Sequence, residues 1–164
     1  MPLADMSLPS APSVGTVLTY SDGAVRQVYA TDVEVMFPLG RLIVSRTDLK
    51  GIITHANDAF VEMSGYTREE LIGAPHHILR HPEMPKIAFK GLWDDVEAGK
   101  KWHGYVKNLR KDGAFYLVYA TAVLNIRNGM IVGYTSVRRK PSRTRVNELV
   151  PVYQQWLQEE KAAA

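Results

Sequence analysis

The chain has 164 residues and no cysteine. This absence excludes disulfide frameworks, thiolate zinc sites, iron–sulfur clusters, covalently attached haem and a cysteine nucleophile. No apolar run approaches the ~18 residues of a membrane span. The first residues, MPLADMSLPSAPS, lack the basic start and apolar core of a secretory signal. We therefore expect a soluble, cytoplasmic protein.

Charge and catalytic motifs are also sparse. Twenty Lys and Arg against 17 Asp and Glu give a net charge of +3, without a basic run of five or more, so composition does not favour nucleic-acid binding. The chain has no nucleophile elbow, Gly-rich phosphate loop or His-Glu-x-x-His motif. We therefore predict a protein that is not an enzyme. The 46% of hydrophobic residues suffices for a folded core.

Residues 1–37 differ in composition from the rest. Residues 1–15 are rich in Pro, Ser and Gly, which predicts a flexible lead-in. Residues 16–37 contain short β-branched runs around the turn Ser21–Gly23, which favours a hairpin or a cap packed on the main domain. We assign residues 1–37 as a lead-in and N-terminal cap.

The pattern predicts one domain of the α+β class over residues 38–141. Thr67 and Glu70 form a capping box that starts a short helix, and residues 84–99 have the apolar spacing of a single longer helix. The order predicts a five-stranded antiparallel sheet with the helices between its second and third strands. The predicted strands cover residues 42–44, 52–54, 102–109, 114–126 and 130–138.

The last part of the chain, residues 142–164, is predicted to be a C-terminal amphipathic helix. Pro151 either kinks this helix or starts a second one. Both faces of the strand at 114–126 are largely apolar, so we expect helices on one face. The N-terminal segment, the C-terminal helix or a second subunit then covers the other face.

The segment 74–85 carries three histidines and an arginine within six residues. His77 and His81 have the spacing of a helical pair, but Pro82 and the absence of further ligands argue against a metal site. A haem needs only one axial histidine. Arg80 provides a planar, permanently charged group for phosphate. A solvated loop shaped by prolines explains the same residues.

The segment 102–113 suits a planar ligand. Trp102, Gly104 and Asn108 project from one face of a strand. An indole, open space and an edge-reading amide are groups that bind an aromatic heterocycle. The alternative interpretation of this segment is a tryptophan in the core and an asparagine that caps the turn.

The order of these motifs resembles the PAS domain of bacterial aerotaxis (redox-taxis) receptors. The front half, residues 47–57, Phe60 and residues 64–73, resembles many PAS sensors. The continuation narrows the resemblance to the aerotaxis group through residues 75–76, 80–85, 88–89, 92–93, 102–104, 106–108, 110–113, 133–134 and 136–138. The similarity runs from about residue 40 to residue 145 and does not cover residues 1–37.

This resemblance implies a non-covalently bound FAD. The family positions needed for FAD binding or signalling match Asn57, Arg80, His81, Trp102 and Asn108, and less securely His76 and Trp93. Tyr116 and Tyr134 lie on strands that line or flank the implied pocket. The family more often has Asp where this chain has Glu83. Without cysteine the cysteinyl–flavin adduct of photoreceptors is excluded, so a bound flavin responds by electron transfer.

The leading hypothesis is therefore an FAD-binding PAS module that senses redox state or oxygen and relays the signal to a partner protein or downstream receptor region. One alternative is a haem-binding gas sensor that uses His76, His77 or His81. Another is a cofactor-free dimerisation module, and a homodimer fits either signalling reading. A small flavin-dependent reductase ranks last because no second substrate site is evident.

Overall fold

The computed structural model describes residues 3–164, apart from the side chain of Trp93. It contains seven β-strands, four α-helices and two 3₁₀ helices within this range. The strands are β1 Ser13–Thr19, β2 Val25–Thr31, β3 Ile43–Thr47, β4 Ile53–Ala56, β5 Trp102–Leu109, β6 Phe115–Arg127 and β7 Met130–Arg139. The α-helices are α1 Asp58–Ser64, α2 Arg68–Leu71, α3 Leu92–Glu97 and α4 Arg143–Ala163, and the 3₁₀ helices are His76–Leu79 and Lys86–Phe89.

The main sheet has five antiparallel strands in the order β4-β3-β7-β6-β5. All helices except α4 lie between β4 and β5 in the chain and pack on one face of this sheet, which we call the inner face. The predicted five-stranded architecture is therefore confirmed. The core of the inner face includes Phe60 of α1, Tyr116 and Val118 of β6, and Val96 of α3.

Local signals explain where the short helices start and end. Asn57 caps α1, and Gly65, at φ 75°, ends it in a left-handed conformation. Thr67 and Glu70 form the predicted capping box of α2. The predicted single helix over residues 84–99 is wrong. Gly91 adopts φ 84° and separates the second 3₁₀ helix from α3, so the apolar spacing is shared between two short elements.

The N-terminal segment is a β-hairpin that packs against the main domain, as the sequence favoured. Its β2 residue Arg26 is 4% exposed and donates to the carbonyls of Ala4 and Ile78 and to the hydroxyl of Tyr66. Met6 is buried as well. The sequence predicted a flexible lead-in over residues 1–15. The structure differs from this prediction in residues 3–15, where Met6 is buried and β1 begins at Ser13.

The C-terminal helix α4 is continuous through Pro151. It lies across the outer face of the sheet, where the Tyr153 hydroxyl donates to the carbonyl of Tyr105 at 2.9 Å. Near its end, the carboxylate of Glu160 accepts from the Ile87 amide at 3.1 Å. The helix α4 therefore covers part of the second face of β5 and β6, whose apolar pattern predicted a cover. Among the described residues, no helix is long and apolar enough to cross a membrane.

Candidate functional site

A row of small side chains crosses the inner face of the sheet. The strand register places Ala122 beside Ser136, Ser136 beside Ser45, and Ser45 beside Ala56. Trp102 ends the row on β5 as the neighbour of Ala122. Small side chains on four adjacent strands leave a flat floor of roughly 14 Å, at about 4.8 Å per strand spacing. Ala122 and Ser136 are only half-buried.

Arg138 of β7 lies buried next to this floor, with 2% of its surface exposed. Its guanidinium donates to the Ser45 hydroxyl at 3.0 Å, approaches the His76 Nε2 at 3.4 Å and lies 4.7 Å from the centre of the Phe60 ring. Its Nε has no partner. In the described part of the chain, no Asp or Glu forms an ion pair with it.

A buried cation without a counter-charge is costly, because its hydration is lost and nothing replaces it. Accordingly, burial lowers the pKa of Arg138 to about 10. Such a group remains in a fold either because neighbouring dipoles hold it or because it meets an anionic or electron-rich ligand. The neighbours of Arg138 are a hydroxyl, an imidazole and a phenyl ring, which compensate it only in part.

His76 is a neutral neighbour of this cation. Because a guanidinium only donates, the Nε2 of His76 must accept, and its proton then lies on Nδ1. Burial, followed by the charge of Arg138, lowers the pKa of His76 to about 3. The ring also stacks on Phe60, with 6.2 Å between ring centres. His76 therefore lies beside Arg138 in its uncharged form.

Tyr116 and Asn108 face each other across β6 and β5 on the inner face. Tyr116 is fully buried, and its hydroxyl interacts with the Asn108 side chain but has no other polar partner in the described chain. Burial raises the pKa of Tyr116 to about 12, so the hydroxyl keeps its proton. Asn108 is 6% exposed, and its backbone bridges to Arg80.

His81 also has a polar atom without a partner, but its ring packs edge-on against Phe115, an outer-face residue of β6, with 6.3 Å between ring centres, so it does not face the small-residue floor. It is 1% exposed, and its Nδ1 accepts from the Glu83 amide at 3.0 Å. The neutral ring therefore carries its proton on Nε2, which bonds to nothing in the described chain. Burial, followed by the charge of Lys107, lowers the pKa of His81 to about 4.

The remaining predicted residues are placed differently. Asn57 is fully used by the fold: its Oδ1 accepts from Val44 and Phe60, and its Nδ2 donates to Leu42. Arg80 is half-buried and forms no ion pair with a described residue.

The aromatic candidates lie at the other end of the small-residue floor. Trp102 is buried against Phe89, with 6.0 Å between ring centres. Its indole lies over Gly104, so it fills the space that this glycine was predicted to leave open. Tyr134 is half-buried in the same cluster of side chains. The side chain of the predicted Trp93, in α3, lies outside the described part of the structure.

Sequence reasoning missed Arg138, Ser45 and Phe60 as site residues. A signal for Arg138 was present, since the side chains of one strand alternate between faces. Tyr134 was assigned to the pocket, and Ser136 and Arg138 follow it at steps of two along β7. An arginine at an inward position is rare without a partner, and this identifies it as a candidate.

Comparisons with known proteins agree with this geometry. Residues 53–138, about half of the chain, match the model of the PAS fold family. The chain is 48% identical over 111 residues to the aerotaxis receptor of Escherichia coli, an alignment that covers 68% of this chain and 22% of the receptor. It is 29% identical over 119 residues to the nitrogen fixation regulatory protein of Klebsiella pneumoniae, covering 71% and 24% of the two chains.

Among solved structures, a light-oxygen-voltage domain studied with a flavin analogue superposes with a TM-score of 0.57 at 22% identity. The superposition covers 70% of this chain and 86% of that domain. The curated relatives are much longer proteins, of which this chain spans about a quarter or less. Relatives of this kind are sensory and regulatory proteins. The fold and the matched residues together show that the chain belongs to the PAS fold family.

Proposed function

We propose that this PAS domain binds FAD, senses redox state or oxygen through it, and relays the signal to a partner protein or downstream receptor region. The observation that carries this proposal is the buried guanidinium of Arg138, which lacks a counter-charge beside a flat floor of small side chains. The identity to an aerotaxis receptor supports the same proposal.

The residues of the site fit a flavin. Arg138 provides positive charge for an electron-rich ring, and the Tyr116 hydroxyl provides a buried proton that a ligand can accept. Asn108 both donates and accepts, as the edge of a heterocycle requires. Arg80, without a carboxylate partner, is the candidate for the diphosphate. Bound FAD supplies reversible electron uptake, and uptake changes the charge and protonation of its ring.

The relay uses the two elements that touch both the site region and the surface. Arg26 of the hairpin bonds the Tyr66 hydroxyl, while α4 bonds Ile87 through Glu160, in the segment that follows His81. We expect flavin reduction to change amide hydrogen exchange in the hairpin or in α4. Identical exchange in oxidised and reduced protein, in both elements, would exclude this route.

The histidine geometry supports a haem-binding sensor less well than a flavin-binding one. An axial histidine binds iron through a deprotonated nitrogen while its other N–H donates to a second group. His81 has the opposite arrangement, because its Nδ1 already accepts from the Glu83 amide. The Nε2 of His76 faces the guanidinium of Arg138, and His77 stacks on Tyr20 at 3.9 Å.

The test is the visible absorption spectrum of freshly purified protein, followed by chromatography of what heat releases. We expect two flavin bands and FAD in the supernatant. Tyr116→Phe is expected to weaken FAD binding by roughly fivefold, because a buried hydrogen bond to the ligand contributes about 1 kcal/mol. Tyr119→Phe, on the same strand but on the outer face, is the matched control. A Soret band, or no colour after incubation with FAD, would contradict the proposal.

A further inference from the structure

The hairpin leaves one edge of β1 open. The outer edge of β2 is covered, because the Met6 amide donates to the Gln27 carbonyl and the Gln27 amide donates to the Asp5 side chain, both at 2.9 Å. No backbone hydrogen bond outside the hairpin involves residues 13–19 in the described chain. The fold therefore protects one strand of its two-stranded sheet and leaves the other unprotected.

The covered edge of β2 fixes which backbone groups of β1 are free. The N–H and C=O of Gln27 point away from β1, so its pair with Val17 is a non-hydrogen-bonded pair of the ladder. Pair types alternate along an antiparallel ladder. The residues whose amides and carbonyls point outward are therefore Ser13, Gly15, Val17 and Thr19.

This open edge also lacks the features that usually prevent strand pairing. Natural edge strands carry Lys, Pro, inward charges or bulges that block a second chain. The β1 sequence, SVGTVLT, has no charge and no proline, and it pairs with β2 without a bulge. Val14 and Val17 are 70% and 61% exposed.

We propose that β1 pairs antiparallel with β1 of a second copy of this chain, with the two-fold axis through Thr16. In this register Ser13 of one copy pairs with Thr19 of the other, and Gly15 with Val17. All four outward-facing residues then exchange their amide and carbonyl bonds, and none is left over. The two hairpins form one four-stranded sheet.

A second copy fits this edge because the strand is complementary to itself and because the edge is accessible. On the face of the hairpin that packs on the domain, Arg26 and Val28 of β2 are 4% and 0% exposed, whereas Val14 of β1 is 70% exposed. Leu18, at the other end of β1 on this face, is only 9% exposed, so β1 extends beyond the body of the domain in its N-terminal half. Two seven-residue strands bury less than the ~1,200 Å² of a typical stable interface, so a reversible, concentration-dependent dimer is expected.

Sedimentation velocity of the full chain over a concentration series tests the proposal. Val17→Pro removes an outward amide without breaking a bond to β2, and it is expected to raise the dimer dissociation constant by at least about tenfold. Val25→Pro is the matched control, since Val25 is 59% exposed and also occupies a non-hydrogen-bonded position, but on β2. Wild-type protein that stays monomeric, or a dimer that Val17→Pro leaves intact, overturns the proposal.

A cross-link tests the register without depending on the proline variant. The chain has no cysteine, so Thr16→Cys introduces a single thiol at the two-fold axis. Opposed residues of a non-hydrogen-bonded pair are close enough for a disulfide. We expect Thr16→Cys to form a covalent dimer under mild oxidation and Val25→Cys to remain monomeric. Equal cross-linking of the two variants, or none at Thr16, overturns the register. Neither experiment depends on bound flavin.

Discussion

Arg138→Met is expected to make the flavin-free protein more stable and to weaken its affinity for FAD. The free energy of unfolding of the apo protein should rise by about 1–3 kcal/mol, because the variant replaces a buried, uncompensated charge by an apolar side chain of similar length. The affinity for FAD should fall by roughly ten- to 100-fold, the range for a lost hydrogen bond to a charged group.

The opposite signs of the two effects make this prediction specific. A residue that only supports the fold lowers both quantities when it is replaced, and a surface residue changes neither. Arg138 contacts Ser45, His76 and Phe60, which are neutral groups, so its removal leaves no buried charge without a partner. Residues that are retained because they bind a ligand often lower the stability of the protein.

Urea denaturation of stripped protein and titration with FAD measure the two quantities. Arg139→Met, at the next and exposed position of β7, is the control and should change neither by more than about 0.5 kcal/mol. Arg138→Lys keeps the charge and loses the planar donor group, so it separates charge from geometry. A variant that loses stability and keeps its affinity for FAD would show that Arg138 serves only the fold.

Local patterns in the sequence predicted most of the elements, because the deciding interactions are close in the chain. The alternation of strand residues and the turn at Lys111–Gly113 located β5 and β6 within one residue, and the capping box at Thr67 located α2. The prediction of a single helix over residues 84–99 failed for a physical reason. A glycine at a left-handed φ interrupts the helix, and its apolar spacing alone does not reveal this.

The site was less predictable than the fold, because burial and partners depend on the whole structure. The strand pattern proposed Asn108, and the family resemblance added His76 and Tyr116; all three side chains lie on the inner side of the sheet. Sequence reasoning did not identify Arg138, which stands out only because it is buried without a counter-charge. It also did not predict that Asn57 has a structural role, in which its amide bonds three backbone groups. Most of these partners are distant in the sequence, so a local pattern does not reveal them.

The stability of the apo protein is expected to fall steeply between pH 7 and pH 5. His76 and His81 have folded-state pKa values lowered to about 3 and about 4 by burial. In the unfolded chain the same histidines have a pKa of about 6.5. Below about pH 6.5 the histidines bind protons in the unfolded state but not in the folded state, so acid favours unfolding. The loss of stability levels off only below the folded-state pKa values.

Over this interval the two histidines together account for about 3 kcal/mol, at 1.36 kcal/mol per group and pH unit, with a discount because His76 is partly exposed. Carboxylates with lowered pKa, such as Glu83 and Asp112, destabilise the fold only at lower pH, so they contribute little here. Urea denaturation at pH 7, 6 and 5 measures the loss.

His81→Asn separates the contribution of one histidine. The Asn side-chain oxygen can accept from the Glu83 amide as Nδ1 does, so the contact is kept while the titrating group is removed. The loss between pH 7 and pH 5 should then fall by about half. His103→Asn, which replaces an exposed imidazole on the outer face, is the matched control. A wild-type stability that is flat over this range would mean that both buried rings accept protons in the folded state. The hydrogen-bond roles assigned to His76 and His81 would then be wrong.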